Sequence, residues 1–236
     1  MANFKTHISV AAALSGCLAT GFLAARIAEP QDVWLYFAMG TLGGILPDID
    51  ANNSIPGRML FSFFAMVLAF LTLFSRAHVY SIVELSVVWM VTYVVVRYII
   101  FQMFAKLTVH RGIFHSILAA VFFCFLTTNV VYYLFITNTL NAWICGLFVF
   151  IGYIIHLTLD EIYSVDLVGA KIKKSFGTAL KIISRNIKAT SLLCLATILA
   201  FYMTPSAERF VKTVLSFETY KSVKVKLLPK AEWFKL

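Results

Sequence analysis

Apolar residues run in long blocks along the chain, separated by short polar or turn-forming clusters, with little of the apolar and polar alternation of a half-buried sheet. A membrane helix must cover roughly 30 Å of hydrocarbon at about 1.5 Å per residue, so blocks of about 20 residues are read as spans. Five blocks qualify, at 8–26, 58–75, 81–104, 113–136 and 141–161, and two shorter ones lie at 33–46 and 189–204. The breaks carry turn chemistry: Glu29-Pro30, Pro47 to Gly57 with Asn52 and Asn53, Ser75 to His78, Lys106 to Gly112, and Thr137-Asn138. The pattern predicts an all-α, polytopic membrane bundle of about six to seven membrane helices, one or two of them short or re-entrant. No internal repeat and no long polar linker interrupts the first 161 residues.

Composition supports this. Of 236 residues, 61% are hydrophobic and 13% charged, against about 45–50% and about 25% in soluble domains, too few polar side chains to cover a water-facing surface. The net charge of +9 would suit nucleic acid, but its placement does not. Residues 1–170 hold 7 Lys/Arg and 8 Asp/Glu, whereas 171–236 hold 13 and 3. A basic segment appended to a neutral membrane body points to positive-inside topology and contact with anionic lipid headgroups, with no nucleic-acid partner.

Within that segment, Gly169 to Lys188 carries Lys171, Lys173, Lys174, Lys181, Arg185 and Lys188, no acid, and Ile172, Phe176, Leu180 and Ile183 at helical spacing. It predicts a basic interfacial amphipathic helix, against the plainer reading of a solvated linker. Residues 205–236 read as a short basic polar tail, with Val223, Val225 and Leu227 alternating as a single strand. The expected organisation is a membrane-embedded domain over 1–165, an interfacial segment over 166–188, a short membrane segment over 189–204, and the tail. Cys17, Cys124, Cys145 and Cys194 sit in apolar stretches without CxxC spacing and read as packing residues. Leu14-Ser15-Gly16-Cys17 matches a lipoprotein cleavage box, but the apolar run continues to Ala25.

A charged group at mid-bilayer costs at least ~2.5 kcal/mol on insertion scales, so each polar outlier asks for a reason. The outliers are His7, Asp48, Asp50, His110, His115, His156 and Asp160. Counting crossings, with 33–46 crossing or re-entering, returns all seven to one face of the membrane. His156 and Asp160 are four residues apart, about 40° around a helix, so both side chains point the same way. Asp48 and Asp50 follow Pro47 in a loop, and His110 and His115 flank Arg111-Gly112. Four His/Asp positions suffice for one tetrahedral zinc, and seven for a pair of ions about 3.5–4 Å apart. The nitrogen and oxygen mixture suits zinc, manganese or iron and disfavours calcium. Taken singly, each residue also has a plain reading. Asp48 or Asp50 could cap the helix near 58, and Asp160 could pair with Lys171 or Lys173. His78 and Glu84 fall on the opposite face and read as interfacial loop residues.

The early His7, Gly44-Ile45-Leu46-Pro47-Asp48-Ile49-Asp50, His110-Arg111-Gly112-Ile113-Phe114-His115-Ser116, and Gly152-Tyr153-Ile154-Ile155-His156-Leu157-Thr158-Leu159-Asp160 together resemble the LexA-regulated bacterial inner-membrane metal-dependent hydrolase family. The likeness is ordered and covers roughly residues 1–165; the HRGxxHS-type block is its most specific part. That family is distantly similar to zinc-dependent phospholipase C and the single-strand nucleases of the same superfamily. The resemblance implies that His7, Asp48, Asp50, His110, His115, His156 and Asp160 are the metal ligands, and it implies nothing about the chain after about 170.

The leading functional expectation is a membrane hydrolase that cleaves a lipid phosphoester with water activated by one or two divalent ions. Asp48 or Asp50 would double as general base, and Arg111, Lys106 or Arg58 would neutralise the phosphate. A metal-independent phosphatidic acid phosphatase also ends its signature in HxxxD. It wants a Ser-Arg pair about six residues before that His, where this chain has Val149-Phe150. The remaining alternatives are an intramembrane ion or metal transporter and a non-catalytic membrane protein. Lys5, Arg58, Lys106, Arg111 and the 171–188 run lie on the ligand face, whereas Arg26 and Arg76 opposite are offset by Glu29, Asp32 and Glu84. The positive-inside rule therefore directs the site to the cytoplasmic side, and the family resemblance implies that the membrane is a bacterial inner membrane.

Overall fold

The structure is a computed structural model that describes residues 3–50, 55–102, 113–135, 137–166, 171–172, 180–182 and 186–214, with isolated positions from 216 to 221. Eight α-helices are described: α1 (Phe4–Ala24), α2 (Val33–Gly43), α3 (Ile55–Arg76), α4 (Ile82–Val94), α5 (Ile117–Leu134), α6 (Thr139–Ile162), α7 (Ile187–Tyr202) and α8 (Glu208–Val214). A 3₁₀ turn covers Leu46–Asp50, and α4 continues as a π-helical stretch over Val95–Ile100. Five helical stretches are long and apolar enough to cross a membrane, and α2 and α7 are the shorter apolar helices. The protein is thus an all-α membrane bundle, with the blocks read from the sequence appearing as helices within a few residues of their expected limits.

The helix starts follow short polar side chains. Asn3, Ser81, Ser116, Asn138 and Asn186 each accept a hydrogen bond from a backbone N–H of the following turn, satisfying donors that lipid could not. Ser81 and Glu84 form a reciprocal capping box, which accounts for the acid at the start of α4. At the end of α1 the chain turns through Arg26 at φ 60°, with Ile27 N bonded to Phe22 O (2.9 Å) and Arg26 N to Leu23 O (3.0 Å). This is a Schellman ending in which an arginine occupies the left-handed position usually given to glycine.

The chain divides into two compact units, Met1–Ile45 with Ser116–Leu236, and Leu46–His115. In the first, α1, α2, α5, α6 and α8 contribute to a core that includes Tyr36, Ile144, Cys145 and Phe148. Between membrane helices the attraction comes from close van der Waals contact, which needs small residues at the interface. His7, Ala11, Ser15 and Ala19 form one buried row along α1 at intervals of four. A Cβ on Gly43 would overlap the carbonyl of Val149, and one on Gly152 would overlap the carbonyl of Gly40, so α2 and α6 touch backbone to backbone. At the far end of α2, Tyr36 Oη donates to Asn141 Oδ1 (2.9 Å) and Asn141 Nδ2 to Asp32 Oδ2 (3.1 Å).

Helix α7 runs parallel to α5. Asn129 Nδ2 donates to Ala200 O (2.8 Å) and Tyr133 Oη to Met203 O (3.0 Å), which sets the two carboxyl ends side by side. Near their amino ends, Ile117 N and Leu118 N donate to Lys181 O and Ile182 O. This corrects the amphipathic helix expected over 169–188 wherever that stretch is described. Lys171–Ile172 pairs antiparallel with Val165–Asp166, and residues 180–182 are not helical. The physical reason is that α5 begins with orphan backbone donors, and the carbonyls of Lys181 and Ile182 are turned outward to accept them. Lys173, Lys174, Phe176, Ile183 and Arg185 lie outside the described residues, and Lys188 falls in the first turn of α7. The expected polar tail is also partly folded. Helix α8 stacks Phe210 on Trp143 (centroids 5.7 Å apart), and Trp143 Nε1 donates to Pro205 O (3.0 Å). The strand expected at 223–227 lies outside the described residues.

The second unit is the α3–α4 hairpin with the preceding 3₁₀ turn and the segment ending at His115. Its helices meet through Phe70 and Trp89 (5.9 Å) and through Phe61 and Phe101 (5.2 Å). Phe63, Phe74, Val87, Met90 and Val91 are exposed, an apolar surface that lipid covers.

Candidate metal centre

Three polar side chains meet inside the first unit at the end where α1 begins and α2 and α6 finish. His7 lies in the first turns of α1, and His156 and Asp160 occupy successive turns of α6; all three are buried. Nε2 of His7 is 3.4 Å from Asp160 Oδ1, and Nε2 of His156 is 3.9 Å from Asp160 Oδ2. The imidazole rings of His7 and His156 stack with centroids 3.8 Å apart and planes 13° from parallel.

Nδ1 of His156 lies 2.7 Å from the carbonyl oxygen of Gly44. A carbonyl can only accept, so Nδ1 carries the proton and, in the neutral ring, Nε2 presents a lone pair toward Asp160. A lone pair and a carboxylate oxygen at that separation repel unless a proton or a cation lies between them. Asp160 sits in the last turn of α6, where the helix dipole opposes a negative charge, and burial adds to the cost. His7 Nδ1 is buried without a hydrogen-bond partner among the described residues.

One donor atom from each of His7, His156 and Asp160 can be chosen so that all three lie within 4.8 Å of one another. Ligands of a tetrahedral ion at about 2.1 Å are about 3.4 Å apart, so modest side-chain adjustment would place all three on one ion. The hydrogen bond from His156 to Gly44 is the kind of outer contact that fixes a ligating histidine's tautomer and ring plane. The two-nitrogen, one-oxygen set fits a zinc-class ion and leaves a coordination position open.

The second unit brings together a different pair. Asp48, in the 3₁₀ turn, has Oδ1 3.6 Å from Nε2 of His115; the histidine is fully buried and the carboxylate 19% exposed. The backbone of Asp50 closes the same turn. His110 and Arg111, with Lys106, lie outside the described residues. Ser116 of the HRGxxHS block caps α5 through Ala119 N (3.3 Å).

Two groups escaped the reading of the sequence. The carbonyl of Gly44 has no side-chain signature, although a glycine pair at the end of a short apolar block hints at close backbone packing. Arg97, a lone cation within the apolar block 81–104, had the same signal as the histidines, a costly charge in a membrane segment.

Fold and site together define a multi-pass α-helical membrane protein with a buried His–His–Asp cluster at one end of its larger unit. Residues 1–217 match the family described as YdjM inner membrane protein, and the chain belongs to that family. The match takes in α7 and α8, well past residue 165 where the motif resemblance stops. No curated protein and no solved structure is matched.

Proposed function

We propose that this protein is a membrane-embedded, metal-dependent hydrolase that cleaves a phosphoester of a lipid, with its site on the cytoplasmic side. The observation that carries the reading is the buried His7–His156–Asp160 cluster, with the His156 tautomer set by Gly44. One or two divalent ions of the zinc class would supply Lewis-acid stabilisation of the phosphoryl oxygens and a water acidified toward neutral pH. His156 and His7 contribute neutral nitrogen donors, and Asp160 contributes the charge that such a donor set needs.

Asp48 or Asp50 would take the proton-accepting role; in the second unit the partly exposed carboxylate of Asp48 has Oδ1 3.6 Å from His115 Nε2. Asp50, His110 and Arg111 enter through the motif resemblance. The cytoplasmic orientation is supported by Lys5, Arg58, Lys106, Arg111 and the 171–188 lysines, all close in sequence to the ligand blocks.

The test is to purify the chain in detergent, measure bound metal, and follow diacylglycerol or phosphate release from short-chain phospholipids. At least one zinc, manganese or iron per chain is expected, lost together with hydrolysis on treatment with a chelator. Metal content well below one per chain, unchanged by H7A or H156A, overturns the proposal.

A further inference from the structure

We propose that Arg58 and Arg97 form a recognition site for the phosphate group of an anionic membrane phospholipid. Both lie in the second unit, Arg58 in the first turns of α3 and Arg97 in the π-helical stretch that ends the α4 span. The two helices form an antiparallel hairpin, so the start of one and the end of the other share one end of it. There the two arginines line one open surface depression of about 450 Å³ with Met59 and Ser62.

Placing Arg97 in an otherwise apolar span is costly, and placing a second guanidinium on the same depression adds like-charge repulsion. Among the described residues neither arginine has an ion-pair partner to offset this. The arrangement is nonetheless held in place. The guanidinium carbon of Arg97 stands 5.2 Å from the ring centroid of Tyr98 and 5.4 Å from that of Phe101, and Phe101 is buried against Phe61. A π-helical turn widens the helix and shifts the register of the turns beyond it; such turns recur at functional sites. Two arginines lining one depression offer planar five-donor groups complementary to a phosphate, which can accept forked hydrogen bonds from both.

The surface adjoining the depression identifies the anion's source. Met59 forms part of its wall and is exposed, and Phe63 beside it on α3 is exposed as well. A lipid can place its phosphate between the arginines and its acyl chains along that apolar surface, whereas a soluble anion uses only the first contact. Ser62 donates its hydroxyl to Arg58 O (2.7 Å) and serves as wall. The site stands on the second unit alone and does not depend on the metal reading; where that reading holds, it names the substrate class as an anionic glycerophospholipid.

The experiment is calorimetric titration of the full chain, purified in detergent, with dihexanoyl phosphatidylglycerol, dihexanoyl diacylglycerol and inorganic phosphate. Saturable binding of the phospholipid and none of diacylglycerol are expected. R58Q and R97Q should each weaken binding by roughly 10-fold or more, the scale for losing hydrogen bonds to a charged group. S62W, which fills the depression and keeps both charges, should abolish it; unchanged thermal midpoints show that each variant is folded. Wild-type affinity in all three variants overturns the site. Displacement of the phospholipid by millimolar inorganic phosphate overturns its assignment to lipid. Bound metal is measured in the same samples: metal retained in R58Q and R97Q while lipid binding falls separates this site from the metal centre. Absence of metal in wild type alongside arginine-dependent lipid binding leaves this site standing and the hydrolase reading rejected.

Discussion

His156 donates its Nδ1 proton to the carbonyl oxygen of Gly44, 2.7 Å away and 112 residues earlier in the chain. That contact couples the end of α2 to the penultimate turn of α6 and turns the other imidazole nitrogen toward Asp160. It exists because α2 and α6 approach closely enough for their backbones to touch.

If the three buried side chains hold an ion, their removal should be read first in metal content. H7A, H156A and D160N are each expected to lower bound metal at least 10-fold by elemental analysis, in the range seen when ligands or their supporting contacts are lost. D160N is the informative member, since it keeps the shape of the side chain and removes its charge. Retention of wild-type metal in D160N would reject Asp160 as a ligand.

Packing of α2 on α6 should tolerate no added methyl group. Gly43→Ala and Gly152→Ala would each drive a Cβ into an opposing carbonyl, with a destabilisation of about 1–3 kcal/mol or more. Thermal unfolding in detergent checks this. Gly21→Ala is the control: nothing lies within 4 Å of its Cβ position, so it should be neutral or stabilising by up to about 1 kcal/mol.

Arg26 holds a left-handed backbone conformation that costs a non-glycine residue about 1–2 kcal/mol. Arg26→Gly should therefore raise the thermal midpoint, by an amount equivalent to about 1 kcal/mol. A lowered midpoint would mean that the guanidinium contributes more at that surface than the backbone strain removes.

The parallel alignment of α7 with α5 puts the start of α8 at the end of the first unit away from His7. A cysteine introduced at Ser206 should accordingly be labelled by an impermeant thiol reagent from the membrane side opposite to one introduced at Lys5. Labelling of both from the same side would contradict the crossing of α7, whose 16 residues reach about 24 Å as a helix.

Much of the fold was legible because a bilayer imposes a local rule: every backbone group must be satisfied within its own helix, so spans declare themselves by apolar length. The polar breaks, Thr137-Asn138 among them, located the turns, whereas the capping roles of Asn3, Ser116 and Asn186 emerged only in the structure. The proximity of His156 to Asp160 was readable from their spacing, and that of His7 to both from counting crossings. The non-helical course of residues 180–182 was not readable, because amphipathic spacing is compatible with a helix and the competing demand comes from the unsatisfied donors of α5, more than sixty residues earlier. The docking of α8 was hidden for a similar reason: Phe210, one of five aromatics in the tail, finds Trp143 only in three dimensions.

By itself the sequence determined that this chain is a multi-spanning helical membrane protein and which few polar residues lie within its apolar blocks, since both follow from the cost of polar groups in hydrocarbon. Tertiary structure alone decided that Gly44 offers its carbonyl to His156, that Arg97 shares a surface depression with Arg58, and that α7 lies along α5. Each depends on the distance between helix backbones, which glycine contacts and aromatic packing set and which no local pattern of residues encodes.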